Sequence, residues 1–144
     1  MTQPEQNPYQ NEGVIRRLLT TPARWAVVGL STNIERPAYG VARFLKQDLG
    51  QQIVPVNPRG EDVHDEIGYA KLADIPGSVD VVDCFVNSQR VGEVVDQAIE
   101  IGAKAVWLQL GVIDEAAAER AAAAGLDVVM NTCPAIEAGK LGVG

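Results

Sequence analysis

The chain has 144 residues, a formal net charge of −7 and a pI near 4.6, with 47% hydrophobic and 22% charged residues. A chain of that length buries about 70% of the surface its unfolded form exposes, so one core is expected and disorder is excluded. The acidic balance argues against a duplex nucleic-acid partner, no apolar run nears the ~20 residues of a bilayer span, and the start, MTQPEQNPYQNEG, lacks the basic and apolar regions of a signal peptide; a cytoplasmic protein with no membrane partner is expected.

Residues 1–12 are polar and aperiodic and read as a flexible tail, with residues 13–144 as one domain. Val14, Ile15, Leu18 and Leu19 then share one face of a short helix. RWAVVG (24–29) is a first strand, followed by a helix that opens at Pro37 and closes at Gly50. QQIVPVN (51–57) is the second strand, in which Pro55 signals an edge position or a distortion. Residues 58–78 are irregular, with a helical turn near Ala70 to Leu72, and VDVVDCFV (79–86) is the third strand. A stripe of Val91, Val94, Val95, Ala98 and Ile99 marks the next helix, with Ser88 as N-cap and Gly102 just past its end. AKAVWLQL (103–110) is the fourth strand, Asp114 caps an alanine-rich helix that Gly125 stops, and LDVVM (126–130) is the fifth. Strands that are apolar throughout and separated by helices predict an α/β, Rossmann-like, doubly wound parallel sheet of five strands, order 3-2-1-4-5.

Ligands of such a sheet bind beyond the carboxyl ends of the strands, where the strand order reverses. Those ends read Gly29-Leu30-Ser31, Val56-Asn57-Pro58-Arg59, Val86-Asn87-Ser88, Gln109-Leu110-Gly111 and Asn131-Thr132-Cys133. Amides recur there, offering donors and acceptors to a ribose, an adenine edge or a ligand amide without implying proton transfer; they also suit strand-to-loop turns. The first turn departs from the dinucleotide pattern G-x-G-x-x-G, since Gly29 is followed by no glycine until Gly40 and the loop instead carries Ser31, Thr32, Asn33 and Arg36. After the second strand, where NAD requires an acid, stand Asn57, Pro58 and Arg59; a cation there suits an extra ribose phosphate, the 2′-phosphate of NADP or the 3′-phosphate of coenzyme A. Arg36, level with a helix start, adds a second candidate cation; each arginine alone also fits a solvated surface.

The sole histidine, His64, lies in the acidic run EDVHDE and reads as a surface residue, so neither a histidine triad nor a metal centre is expected. Tyr39 either stacks on a base or packs, and Tyr69 packs. Trp25 and Trp107 read as core residues whose indole N–H groups need partners. Cys84, inside a strand, reads as an inert hydrophobe, while Cys133, on the ligand rim, is a candidate reactive thiol.

The runs AVVGLSTNIERPAYGVARFL, IVPVNP, DIPGSVDVVDCFV and IGAKAVWLQLGVIDEAAAERAAAAGLDVVMNTCPAIE together resemble the small bacterial CoA-binding domain proteins, a stand-alone counterpart of the CoA-binding domain of the succinyl-CoA synthetase α subunit. The resemblance spans residues 14–141 and implies a coenzyme A site: Gly29, Leu30, Ser31, Thr32 and Asn33 around the phosphates with Arg36, Val56 to Arg59 beside the adenosine, then Val86, Asn87 and Gln109 to Gly111. It implies non-catalytic binding of CoA or an acyl-CoA, regulatory or as a module for a protein partner or a second copy. The alternatives are an NADP-binding oxidoreductase domain, for which no acid–base pair is visible, and a subunit of an acyl-CoA ligase that relies on another chain for phosphoryl chemistry.

Overall fold

The computed structural model describes residues 8–144, so most of the expected tail, residues 1–7, lies outside the described residues. The residues leading into the first helix are anchored: Met130 N–H donates to the Tyr9 carbonyl at 2.9 Å, Gln10 Nε2 donates to the Asn131 carbonyl at 3.0 Å, and Asn11 caps the helix by accepting from the Val14 N–H at 3.0 Å. The chain then runs through α1 (Glu12–Thr20), β1 (Arg24–Val28), α2 (Pro37–Gln47), β2 (Gln52–Val56), a 3-10 turn (Leu72–Asp74), β3 (Val81–Cys84), α3 (Val91–Glu100), β4 (Ala105–Leu108), α4 (Glu115–Ala123), β5 (Asp127–Val129) and α5 (Pro134–Leu141). Helix α5 is not among the elements expected from the sequence. Asp114 caps α4 as expected, accepting from the Ala117 N–H at 3.0 Å. Arg90, not Ser88, stands at the N-cap of α3.

All five strands are parallel, in the order β2-β1-β3-β4-β5. The doubly wound Rossmann-like architecture holds, but the expected order 3-2-1-4-5 does not. Pro55 supplies the physical reason: a strand that lacks one N–H is suited to an edge, and the expected order would have put β2 between two neighbours. Its inner edge pairs with β1 from Arg24↔Gln52 to Val28↔Val56, while its outer edge is met near its end by Tyr69, whose N–H donates to the Pro55 carbonyl at 3.0 Å. The central place goes instead to β3, every residue of which is buried. The irregular segment after β2 makes the crossover past β1, laying Leu72, Ile75 and Val79 against the same sheet face as α3 and α4.

Strand residues alternate between the two faces. Trp25, Val27, Ile53, Val81, Trp107 and Val129 face α1, α2 and α5, where Leu19, Ala42, Leu45 and Ala138 meet them. Ala26, Val54, Val82, Val106 and Leu108 face α3 and α4. Fully burying a residue such as Leu45 or Leu108 stabilises by about 1.5–3 kcal/mol, so both faces contribute to one cooperative core. Gln51 is the polar exception that closes α1. It is 3% exposed, its Nε2 donates to the Leu19 and Thr21 carbonyls at 3.0 and 3.1 Å, and its Oε1 accepts from the Ala23 N–H at 2.8 Å. Those carbonyls belong to the helix end that has no partners of its own. Among the described residues no helix is long and apolar enough to cross a membrane.

Candidate functional site

The strand order turns back at β1 and β3: the chain leaves β1 toward β2 on one side and returns to β3 on the other, so the loops after these two strands diverge. A cleft of about 380 Å³ opens there. Gly29 follows β1; Phe85 and Val86 follow β3; Gln109, Leu110 and Val112 follow β4; Arg36, Pro37, Ala38 and Val41 come from the start of α2; Cys133 and Ile136 come from the start of α5. Gly29 allows the end of β1 to approach the loop after β3 closely. Its φ is +99°, and a Cβ built there would lie 2.6 Å from the Phe85 carbonyl oxygen, so any other residue would be both strained and obstructed.

Of the residues expected from the sequence, Gly29, Arg36, Val86, Gln109, Leu110 and Cys133 come together in this cleft. The others do not line it. Leu30 and Val56 are core residues, 0% and 4% exposed. Ser31 and Asn33 shape their own loop: Ser31 Oγ accepts from the Asn33 N–H at 3.3 Å, and Asn33 Oδ1 accepts from the Glu35 N–H at 3.0 Å. Such side-chain turns order a polar loop locally. Thr32 is exposed, as are Pro58 and Arg59 on the loop after β2.

The rim amides serve the fold rather than an open crevice. Asn57 Nδ2 donates to the Leu30 and Glu61 carbonyls, both at 3.0 Å, and its Oδ1 accepts from the Arg59 and Glu61 N–H groups at 3.2 and 2.9 Å. Its full capacity of two donors and two acceptors is used, stitching the loop after β2 to the loop after β1. Asn131, at φ +57°, accepts from the Gly111 N–H at 2.8 Å, which ties the loops after β4 and β5 together. Asn87 Oδ1 accepts from the Arg90 N–H at 3.0 Å. Ser88, expected as a helix cap, accepts from the Ile113 N–H at 2.9 Å instead. Gln109 behaves otherwise: it is 7% exposed, it lines the cleft, and its Oε1 has no hydrogen-bond partner among the described residues.

The cleft is therefore more apolar than the sequence implied. Leu110 and Ile136 stand at its edge, 58% and 49% exposed, and among the described residues Arg36 is the one cation in the lining. Arg36 occupies the N-cap position of α2, at the positive end of the helix dipole, and makes no side-chain capping bond. Pro37, Ala38, Val41, Phe85, Val112 and Ile136 escaped the sequence reading because a scan for polar strand ends passes over apolar residues. The spacing of Pro37 and Val41, one helical turn apart, was the available signal.

Other expectations are corrected or sharpened. His64 is not a free surface residue: it is half-buried, its Nε2 lies 2.8 Å from the Tyr39 carbonyl, and its ring meets that of Tyr39 in a tilted contact with centroids 4.3 Å apart. Tyr39 thus packs against His64. Glu66 pairs with Lys46 at 2.9 Å, and among the described residues no group of three or more His, Cys, Asp or Glu is placed to hold a metal ion. Trp107 donates to the Thr132 carbonyl at 2.9 Å, whereas the Trp25 indole N–H has no partner among the described residues. On the face away from the cleft's helices Cys84 is fully buried, its thiol pushed well up by burial and then by the neighbouring Asp83.

The CoA binding domain model matches residues 23–139. The chain is 33% identical over 128 residues to the uncharacterized protein YneT of Bacillus subtilis, which spans 89% of this chain and 93% of that one. It is also 33% identical over 85 residues to the alpha subunit of an ADP-forming acetate–CoA ligase II of Pyrococcus furiosus; that match spans 59% of this chain and 19% of the subunit. A hypothetical protein of Pyrococcus horikoshii superimposes with a TM-score of 0.89 at 36% identity, covering 98% of this chain and 99% of the other. By the extent of these matches, the chain belongs to the CoA binding domain family.

Proposed function

We propose that the cleft binds coenzyme A or an acyl-CoA reversibly, without transforming it. The observation that carries this reading is the pairing of Arg36 and the positive end of α2 with a mostly apolar cleft at the β1/β3 switch point. Coenzyme A has the matching asymmetry, with phosphates at one end and a thiol-bearing arm containing amides at the other. The unpaired Gln109 Oε1 is suited to accept from an amide N–H of that arm. The exposed Thr32, Asn33 and Arg59, on the loops after β1 and β2, are available to a ligand longer than the cleft.

Two features support binding without chemistry. Among the described residues, Arg36 and Cys133 are the only ionisable ones lining the cleft, and they do not make an acid–base pair suited to moving a proton. The likeness to a ligase subunit covers 19% of that subunit, so the relation concerns a domain and not a whole enzyme. A module that reports CoA or acyl-CoA to a protein partner, or to a second copy, fits both.

Calorimetry with coenzyme A, dephospho-CoA and NADPH tests the reading. Coenzyme A is expected to bind, and Arg36→Ala to weaken it by about 1.5–3 kcal/mol, the value of a charged hydrogen bond. Arg59→Ala should weaken coenzyme A more than dephospho-CoA. Tighter binding of NADPH than of coenzyme A would replace this proposal with the oxidoreductase reading.

A further inference from the structure

Cys133 occupies an unusual position for a cysteine. It is 8% exposed, it stands at the N-cap of α5 with no side-chain capping bond, and it lines the cleft together with Gln109. The second cysteine, Cys84, provides a contrast within the same molecule, since it is 0% exposed, packs on the opposite face of the sheet and does not line the cleft. Gln109 is an independent sign that the region around Cys133 receives a ligand: it is more than nine-tenths buried in the cleft lining, yet its Oε1 has no hydrogen-bond partner among the described residues. A buried acceptor left unpaired costs about 1–3 kcal/mol, a penalty that a ligand N–H would remove.

From this juxtaposition we infer that Cys133 is a thiol–disulfide exchange residue directed at disulfides of the cleft's own ligand. The inference rests on the binding of coenzyme A proposed above. The Cys133 thiolate attacks one sulfur of a coenzyme A disulfide; the Cys133–CoA bond forms as the old S–S bond breaks, and the departing CoA thiolate takes up the proton that Cys133 gave up. One disulfide is consumed and one is made, so no further oxidant is needed. A second thiol reverses the step by the same exchange. The cleft would then hold coenzyme A in two ways, reversibly when the carrier is reduced and covalently when it is oxidised.

The test incubates the reduced protein with coenzyme A disulfide, and separately with glutathione disulfide, and follows intact mass under non-reducing conditions. The expected result is a single coenzyme A adduct, removed by dithiothreitol, mapped to Cys133 by peptide analysis and absent from Cys133→Ser. Glutathione disulfide should react at least about tenfold more slowly, because only the ligand of the cleft is held near the sulfur. An adduct on Cys84, or equal rates with the two disulfides, would overturn the inference. Calorimetry of the wild-type chain with reduced coenzyme A separates the two proposals. Binding without an adduct defeats the exchange role alone, while neither binding nor adduct defeats both.

Discussion

Gly29→Ala is the substitution in which fold and site are most directly joined. Gly29 has φ +99°, and an alanine Cβ would lie 2.6 Å from the Phe85 carbonyl oxygen and 3.1 Å from the Phe85 Cβ. The backbone strain is worth about 1–3 kcal/mol, and forcing atoms into a close-packed contact adds about 1–3 kcal/mol. Gly102 isolates the first contribution, because its φ is +78° and a Cβ there has no neighbour within 4 Å. Urea unfolding followed by the fluorescence of Trp25 and Trp107, both 0% exposed, should therefore show Gly29→Ala less stable than Gly102→Ala by about 1–3 kcal/mol. Ligand calorimetry should separate them further, since Gly29 and Phe85 both line the cleft and Gly102 does not. Equal losses of stability in the two variants, with ligand affinity intact in both, would refute the argument that this glycine is required by the approach of β1 to β3.

Gln51→Met keeps the volume of the buried side chain and removes its hydrogen bonds to the Leu19 and Thr21 carbonyls and the Ala23 N–H, so chemical denaturation should show a loss of about 2–3 kcal/mol. Asp83, fully buried in β3 with neither carboxyl oxygen hydrogen-bonded among the described residues, has its pKa raised well above 3.8 by burial. Between that ordinary value and the raised one the folded state holds a proton that the unfolded state has released, so stability falls as pH rises, by up to about 1.4 kcal/mol per pH unit. Asp83→Asn should flatten this slope in denaturation curves taken across the acidic range, and a slope unchanged by the substitution would assign it to other groups.

The fold was legible where one physical cause acts locally. Uniformly apolar runs gave the strands, Asp114 gave the start of α4, and glycines past the helices gave several ends. Strand order depends on a comparison between distant segments, and there the one local hint, Pro55, pointed to an edge that the expected order did not respect. Helix α5 went unread because PAIEAGKL is only eight residues long, carries Gly139 inside it and buries just Pro134 and Ala138. Its contribution to the site, Cys133 and Ile136, arrives through packing against the rest of the fold.

The site was legible in position but not in chemistry, and the rim amides show why. Where a parallel strand ends, its last backbone groups and those of the loop beyond it lose the regular ladder, and each buried one needs a partner. An amide side chain with donors and an acceptor meets that need well, which is the use made of Asn57, Asn87 and Asn131. Residue type alone therefore cannot tell an amide that closes a loop from one that awaits a ligand; the difference lies in whether its atoms are already paired. Gln109 is set apart on that criterion, with an oxygen left unpaired among lining residues that are mostly apolar. Apolar positions such as Phe85, Val41 and Ile136 pose the same problem in reverse, since their side chains look like core until the diverging loops leave them facing a cleft.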